Sequence, residues 1–151
     1  MPSSRRLISP FSAGVGGGTT QGIRTVTLAK DVECQGAMGV VLNAPITNPN
    51  LAAVVKAVDI PVIITVTKPD TDIEARLDAG ASILNVAGGA ATPDIVRSIR
   101  ERFPEVPIIA SGGNTDENIE KTIQAGANAI TYTPPTTNDL FKALMEKYRE
   151  E

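Results

Sequence analysis

The 151-residue sequence contains no histidine, no tryptophan and a single cysteine, Cys34. The absence of histidine removes the commonest general base, the Ser–His and Cys–His nucleophile pairs, and imidazole metal ligands. A single cysteine excludes an internal disulfide and any metal site built from several cysteines. Cys34 falls in a predicted helix, where we expect a small buried side chain rather than a nucleophile. Several common classes of catalytic and metal site are therefore excluded.

Aromatic residues make up only 3% of the sequence, although 42% of the residues are hydrophobic. The core must therefore consist of Ile, Val, Leu and Ala, and the length suffices for one domain with a sizeable core. The net charge of −3 argues against a nucleic-acid-binding or membrane-binding surface. No apolar run is long enough to span a bilayer, and the stretch 1–6 is not followed by a signal-type apolar segment. We expect a cytoplasmic protein.

Predicted strands and helices alternate along the sequence. An irregular edge strand is predicted at 7–13, and buried strands are predicted at 39–44, 61–67, 82–87, 108–110 and 129–133. Helices are predicted at 21–35, 50–58, 71–79 (with a capping box at 71–74), from 92, at 116–125 and from 137. The last helix is expected to bury Leu140, Phe141, Leu144, Met145 and Tyr148. We expect residues 1–20 to be a flexible segment, its glycine-rich loop at 14–18 a linker, a lid or a phosphate cradle, and 21–151 to be one domain.

A repeat is visible in the turns that end three of the helices. Gly36, Gly80 and Gly126 are each followed by alanine, at spacings of 44 and 46 residues. Pro61 and Pro107, each at the start of a strand, are also 46 residues apart. The repeating unit is thus two strand–helix modules, and odd and even strands differ in character. This is the pattern that an (βα)8 barrel requires.

Near-continuous β-branched runs separated by amphipathic helices indicate a parallel α/β sheet covered by helices. Because six strands are visible, the barrel is truncated, completed by another chain, or opened into a doubly wound, flavodoxin-like sheet, which is the alternative fold. Unpaired edge strands favour association. We therefore expect a homo-oligomer in which residues 1–20 are either disordered or exchanged between chains.

The stretch 107–113 runs from a short apolar strand into two glycines and then into a helix that begins near Asp116. Glycine lets a backbone approach a ligand closely, and the first N–H groups of a helix lack intrahelical acceptors. Together with the helix dipole, this arrangement is typical of an anion site. The alternative is a tight strand-to-helix turn without a ligand.

The segment Ser111–Gly113 resembles the seventh-strand element of the phosphate-binding TIM barrels. The block from 42–45 to 130–135 also resembles an uncharacterised group of small barrel proteins labelled hydrolases, and this resemblance covers roughly residues 40–149. It implies a phosphate held by the loops after the last two strands. Pro134 and Pro135 depart from this pattern because proline cannot donate a hydrogen bond. Thr136, Thr137 and the start of the last helix would have to donate instead.

The candidate ligand-binding residues share a position at the carboxyl ends of the predicted strands. They are Asn43, Asn85, Gly88, Gly89, Ser111, Gly112, Gly113, Asn114, Thr133, Thr136 and Thr137. Lys68 is the catalytic candidate, because it is the only cation at a strand end and can pair with phosphate or form a Schiff base. The alternative is that Lys68 is a solvated lysine in a turn. Asp70 and Asp72 are metal ligands or, as we expect, helix-start charges.

Two functions follow from these features. One is an enzyme, a lyase, isomerase or hydrolase, that acts on a small phosphorylated or carboxylated metabolite. The other is a non-catalytic binding or regulatory domain that uses the same pocket. The expected partner is a small anionic metabolite, and no motif identifies a cofactor.

Overall fold

The computed structural model describes residues 11–16, 20–43, 45–113, 115–132 and 135–149. They contain one sheet of six parallel strands that pair in the order β1 to β6. The strands are β1 (Ser12–Val15), β2 (Gly39–Leu42), β3 (Val62–Val66), β4 (Ile83–Val86), β5 (Ile108–Ser111) and β6 (Ala129–Thr131).

A helix follows each strand. The helices are α1 (Ile23–Cys34), α2 (Asn48–Ala57), α3 (Ile73–Asp78), α4 (Thr92–Arg102), α5 (Asp116–Gln124) and α6 (Thr137–Arg149). A 3₁₀ turn at Gly89–Ala91 precedes α4. None of the helices in the described ranges is both long and apolar enough to cross a membrane.

The strand order distinguishes between the two predicted folds. A doubly wound sheet contains a point at which the strand order reverses. Here every strand pairs only with its neighbours in sequence, and all pairs are parallel. The flavodoxin-like alternative is therefore wrong. The prediction of a six-stranded, incomplete barrel of the TIM type is confirmed.

The two faces of the sheet differ in burial. The face beneath the helices carries side chains that are almost completely buried, among them Val40, Leu42, Ile64, Val66, Leu84, Val86 and Ile108. The opposite face, which lines the interior of a closed barrel, is only partly covered. Near its carboxyl end it carries Thr65 beside Asn85, and Ser111 beside Thr131. The polar side chains are thus gathered on the open face, at the edge where ligands bind in this fold.

The predicted repeat is confirmed by three equivalent helix ends. Gly36, Gly80 and Gly126 have φ angles of 90°, 102° and 108°. Each donates its N–H to the carbonyl three residues earlier, at 2.9 Å, and the following alanine donates to the carbonyl five residues earlier. This is a Schellman motif, for which glycine is preferred because it tolerates positive φ.

The predicted packing of the last helix is wrong. Every residue of α6 is exposed, and Leu140, Phe141, Leu144, Met145 and Tyr148 are between 39% and 66% exposed. The periodicity identified an apolar stripe correctly, but a stripe does not specify what covers it. In the described residues, nothing buries this face.

The start of the chain and Cys34 also differ from prediction. Gly14 and Val15, expected in a loop, belong to β1, and Val15 is buried because β1 pairs with β2. Residues 1–10 and 17–19 lie outside the described residues, and so do most of the predicted strand at 7–13 and the centre of the glycine loop. Cys34, expected to be buried, is exposed at the end of α1.

Candidate functional site

A cavity of about 270 Å³ opens at the carboxyl ends of β4 and β5. It lies between the loop before α4 and the loop before α5. Its lining residues are Gly89, Ala90, Thr92, Pro93, Ser111, Gly112, Gly113, Asn118 and Thr122. The structure therefore brings together four predicted site residues from two loops, Gly89 and Ser111–Gly113.

The two glycines after β5 have different roles. Gly112 is buried, and its N–H donates to the carbonyl of Thr131 (3.0 Å), which joins the end of β5 to β6. A Cβ at this position would lie 2.6 Å from Cγ2 of Ile130, so only glycine fits. Gly113 is exposed, with φ 72°. Its N–H has no acceptor among the described residues.

The start of α5 adds further donors. Oγ1 of Thr115 caps the helix by accepting from the N–H of Asn118 (3.3 Å). In the described part of the chain, no acceptor faces the N–H groups of Asp116 and Glu117. The positive end of the helix dipole coincides with these groups. Backbone donors and dipole together favour an anion at this end of the cavity.

The first turn of α5 also carries negative charge, which opposes anion binding. Part of this charge is compensated, because Nζ of Lys121 lies 2.7 Å from Oε1 of Glu117. The hydrogen bond from Lys121 and its positive charge lower the pKa of Glu117. Asp116, the other acidic residue of this turn, is exposed.

The wall of the cavity on the β4 side is closed by a buried threonine. Oγ1 of Thr92 accepts a hydrogen bond from the N–H of Gly88 (3.0 Å). A Cβ on Gly88 would lie 2.5 Å from Cδ1 of Ile95, so the loop packs tightly on α4. Gly88 thus shapes the loop, whereas Gly89 is exposed and lines the cavity.

Three polar lining residues were not predicted as site residues: Thr92, Asn118 and Thr122. The sequence identified Thr92 only as a helix start. Thr122 is buried, and its hydroxyl donates to the carbonyl of Asn118 (2.7 Å). The available signal was the position of Thr92, just after the glycine pair 88–89. No local signal marked Asn118 and Thr122, which meet the cavity only because α5 folds back beside α4.

Two predicted asparagines lie on the open face of the sheet rather than in the cavity. Nδ2 of Asn85 donates to Oγ1 of Thr65 (3.2 Å), so the half-buried amide has a structural partner. Asn43 is exposed, and a Cβ on Gly14 would lie 3.5 Å from its Nδ2. Asn43 therefore lies beside β1, at the opposite end of the strand order from the cavity at β4 and β5.

Lys68 lies in an exposed turn after β3. Its carbonyl accepts from the hydroxyl (2.9 Å) and the N–H (3.4 Å) of Thr71. It lines a separate, small cavity of about 20 Å³ with Arg102 and Phe103 of α4. The structure does not bring Lys68 into the cavity at β4 and β5.

Asp72 acts at a helix start, as the sequence predicted. Oδ1 of Asp72 accepts from the N–H of Ala75 (3.1 Å) and caps α3. The hydroxyl of Thr71, the predicted capping residue, donates to the carbonyl of Lys68 instead, and the N-cap lies one residue later, at Asp72. In the ranges that the structure describes, no three Asp, Glu or Cys residues lie close enough to hold a metal ion.

The predicted donors at the start of α6 are exposed. The N–H and hydroxyl of Thr136 both donate to Oδ2 of Asp139 (3.0 and 2.6 Å), and Thr136 accepts from the N–H of Asp139 (3.2 Å). These hydrogen bonds lower the pKa of Asp139. Thr137 is the first residue of the helix. The two other predicted residues, Asn114 and Thr133, lie outside the described residues.

Comparison with known proteins supports the fold but does not assign the chain to a family. No family model matches the chain. An inosine-5′-monophosphate dehydrogenase from Chlorobaculum parvum is 33% identical over 66 residues, which is 44% of this chain and 13% of that protein. The chain thus corresponds to a small part of this relative.

Solved structures resemble most of the chain. A mandelate oxidase bound to 4-Br-2-hydroxy-methylphenylacetate matches with a TM-score of 0.67 and 17% identity, over 80% of this chain and 49% of that one. Mandelate oxidase has also been solved with an FMN adduct. A proposed phosphonomutase from Burkholderia cenocepacia matches with a TM-score of 0.65 and 15% identity, over 93% of this chain and 69% of that one. At these identities the likeness concerns the fold, and the chain spans about half the length of the oxidase.

Proposed function

We propose that this protein binds the phosphate group of a small phosphorylated metabolite in the cavity at the ends of β4 and β5. The observation that carries the proposal is the conformation of Gly113. Its positive φ leaves an exposed N–H without an acceptor in the described residues, directly before the unpaired N–H groups of α5. Ser111 and Asn118 add a hydroxyl and an amide to the same lining. Neutral donors at a helix start are a common phosphate site.

The names of the similar proteins support a phosphorylated ligand. Inosine-5′-monophosphate and FMN both carry a phosphate monoester, and a phosphonomutase is named for a phosphonate. These groups share a tetrahedral anion with several acceptor oxygens. A cradle of backbone N–H groups suits that shape and charge.

The remainder of the ligand would extend over the open face of the sheet. Ser111 lies beside Thr131 in the register of β5 and β6, and the pair Thr65 and Asn85 lies on the same face. Hydroxyl and amide groups orient a polar ligand through directional hydrogen bonds. A sugar, a hydroxy acid or another polar carbon skeleton suits this surface.

Catalysis as a lyase, isomerase or hydrolase would need an acid, a base or a nucleophile close to the bound ligand. Lys68 is the candidate for this role, in the turn after β3. The described residues that line the cavity are all neutral. This lining favours the second candidate function, a non-catalytic metabolite-binding or regulatory domain.

Titration of the ¹⁵N-labelled protein with inorganic phosphate tests the proposal. We expect the amide resonances of Gly113, Asp116 and Glu117 to shift in a saturable manner. Gly113→Val should weaken the binding at least tenfold, because a branched side chain crowds the cradle. At a φ of 72° valine is also strained, so this variant should lose about 1–3 kcal/mol of stability.

Gly36→Val is the matched control. Gly36 has φ 90° with no atom within 4 Å of a Cβ, and it lies at the end of α1, away from the cavity. It should show a similar loss of stability with unchanged phosphate binding. Equal phosphate affinity in the wild type and Gly113→Val would show that the cavity is not the phosphate site.

A further inference from the structure

Another cavity, of about 310 Å³, opens between the starts of α2 and α3. It lies at the same edge of the sheet as the cavity at β4 and β5, because α2 and α3 begin after the carboxyl ends of β2 and β3. Its lining includes Ile46, Asn48, Asp72 and Arg76. A volume of this size is at the lower end of the range for ligand pockets, which is roughly 300–1,000 Å³.

The sequence repeat relates this cavity to the one at β4 and β5. Positions are counted from the proline in the first turn of the first helix, Pro49 or Pro93, and from the glycine that ends the second, Gly80 or Gly126. Four lining positions then match: Ile46 and Ala90, Asn48 and Thr92, Asp72 and Asn118, and Arg76 and Thr122. The two cavities therefore occupy equivalent places in the repeat. The cavity between α2 and α3 carries two charged residues where the other carries neutral ones.

The guanidinium group of Arg76 is held in place at one end only. Nη1 donates to the carbonyl of Ile46 (2.7 Å) and to Oδ1 of Asn48 (2.8 Å), and the side chain is half-buried. Nε and Nη2 have no acceptor among the described residues, and no described carboxylate forms an ion pair with Arg76. Two neighbouring N–H groups of a guanidinium match the two oxygens of a carboxylate. This edge of Arg76 therefore suits a bidentate carboxylate ligand.

Asp72 lies four residues before Arg76, and both side chains line the cavity. Opposite charges at this spacing commonly form an ion pair. In the part of the chain that the structure describes, these two do not. Oδ1 of Asp72 accepts from the N–H of Ala75 (3.1 Å), whereas Oδ2 has no donor in the described ranges. The cavity thus presents one cationic and one anionic group that are not paired with each other.

We propose that this cavity binds the zwitterionic end of an α-amino acid. The carboxylate of the ligand accepts from Nε and Nη2 of Arg76, and its ammonium group donates to Oδ2 of Asp72. A ligand with a carboxylate alone is repelled by Asp72, and a ligand with an ammonium group alone is repelled by Arg76. Only a ligand that carries both charges close together satisfies both residues. The site is separate from the phosphate cavity and does not depend on phosphate binding there.

Titration of the ¹⁵N-labelled protein with each of the twenty standard amino acids tests the proposal. At least one should shift the amide resonances of Asn48, Thr71 and Ala75 in a saturable manner at roughly 10 mM, which exceeds a dissociation constant of about 1 mM. The amino acid that binds best is then compared with the carboxylic acid that lacks its amino group and with the amine that lacks its carboxylate. Each of these should bind roughly tenfold more weakly. No saturable shift with any amino acid, or equal affinity for either single-charge compound, would overturn the proposal.

Asp72→Asn tests the ammonium end of the site without loss of the helix cap, because asparagine caps helices as well as aspartate does. The variant should bind the amino acid roughly tenfold more weakly. It should bind the carboxylic acid at least as tightly as the wild type does, because a repelling charge is removed. Glu74→Gln is the matched control: Glu74 is an exposed acidic residue of the same helix that does not line the cavity. It should leave both affinities unchanged, and an unchanged amino-acid affinity in Asp72→Asn would count against the proposal.

Arg76→Lys tests the carboxylate end. Lysine keeps the positive charge but lacks the planar fork, so the affinities for the amino acid and for the carboxylic acid should both fall roughly tenfold or more. Some stability is lost as well, because Arg76 also holds the carbonyl of Ile46 and the side chain of Asn48. Wild-type amide resonances in β4 and β5 would show that the variant is folded. Full amino-acid affinity in the folded variant would refute the role of Arg76.

Discussion

Nη2 of Arg100 donates a hydrogen bond to Oδ1 of Asn128 (2.8 Å), and the same oxygen accepts from the N–H of Ile108 (2.9 Å). Arg100 also donates to the carbonyls of Gly126 (2.8 Å) and Pro104 (2.6 Å). One guanidinium thus ties the end of α4 to the turns before β5 and β6. It does so at the amino-terminal edge of the sheet, opposite the cavity.

Arg100→Ala should lower the free energy of unfolding by about 2–4 kcal/mol, because it removes several charge-assisted hydrogen bonds and leaves carbonyls without donors. Arg100→Lys should recover only a small part, since an ammonium cannot reproduce the planar fork. Urea denaturation measures the free energy of unfolding of both variants. Phosphate binding by the folded variants should not change.

The control for this prediction is Arg97→Ala on the same helix. Arg97 pairs with Asp94 at 3.2 Å, but both side chains are more than half exposed. Its loss should cost less than about 0.5 kcal/mol. Similar losses for the two arginines would show that the Arg100 hydrogen bonds add little to stability.

Gly112→Ala should destabilise the protein by about 1–3 kcal/mol, as overpacking does. The new Cβ would lie 2.6 Å from Cγ2 of Ile130 and 2.8 Å from Cγ1 of Ile119. Ile130→Ala removes the first of these atoms, so the double variant should be more stable than the sum of the single effects predicts. Thermal unfolding of the wild type, the two single variants and the double variant provides this double-mutant cycle. Strict additivity would mean that the close approach does not limit the site.

The start of α6 should weaken in acid. Hydrogen bonds from Thr136 lower the pKa of Asp139 below its ordinary value of 3.8. A carboxyl group whose pKa is lowered in the folded state stabilises that state fully above the unfolded pKa. The stabilisation is lost as the pH falls through the folded pKa.

We expect the amide resonances of the first turn of α6 to report this loss at a pH below 3.8, and Asp139→Asn to abolish it. Glu146→Gln serves as the control, because Glu146 is an exposed carboxylate of the same helix that lies outside its first turn. A first turn that keeps its wild-type pH profile in Asp139→Asn would refute the prediction.

Lys68 should contribute charge rather than a covalent bond. It is exposed in a turn and lies outside the cavity at β4 and β5. Treatment with borohydride in the presence of carbonyl metabolites should therefore leave Lys68 unmodified in peptide mass analysis. A reduced adduct on this residue would make the protein a Schiff-base enzyme.

Features that depend on a few adjacent residues were predictable from the sequence. The three glycine-alanine turns were found at 36, 80 and 126, because a Schellman motif requires positive φ at one position. Sequential alternation of strands and helices gave the barrel-type sheet. The glycines after β5 were predicted as site residues from their local pattern, and the structure places Gly112 and Gly113 in the lining of the cavity.

Features that depend on distant packing were not predictable. The stripe on α6 was recognised, but the sequence pattern does not specify whether the sheet covers it. The contributions of Asn118 and Thr122 to the cavity depend on how α5 lies against α4. Burial of Cys34 was inferred from residue type, although the end of α1 lies at the surface. Periodicity shows which face of a helix is apolar, but it does not identify the surface that this face packs against.

Each strand pairs only with its neighbours in sequence. The strand–helix units of the sheet therefore form a one-dimensional array, in which each unit is stabilised by the two units beside it. The units in the middle have neighbours on both sides, whereas those at the ends have one. Opening should therefore proceed from the ends inward. The amides of β3 and β4 should exchange with solvent most slowly, and those of β1 and β6 earlier, before global unfolding. The cavity borders the last units, so a ligand bound there would also slow the opening of that end.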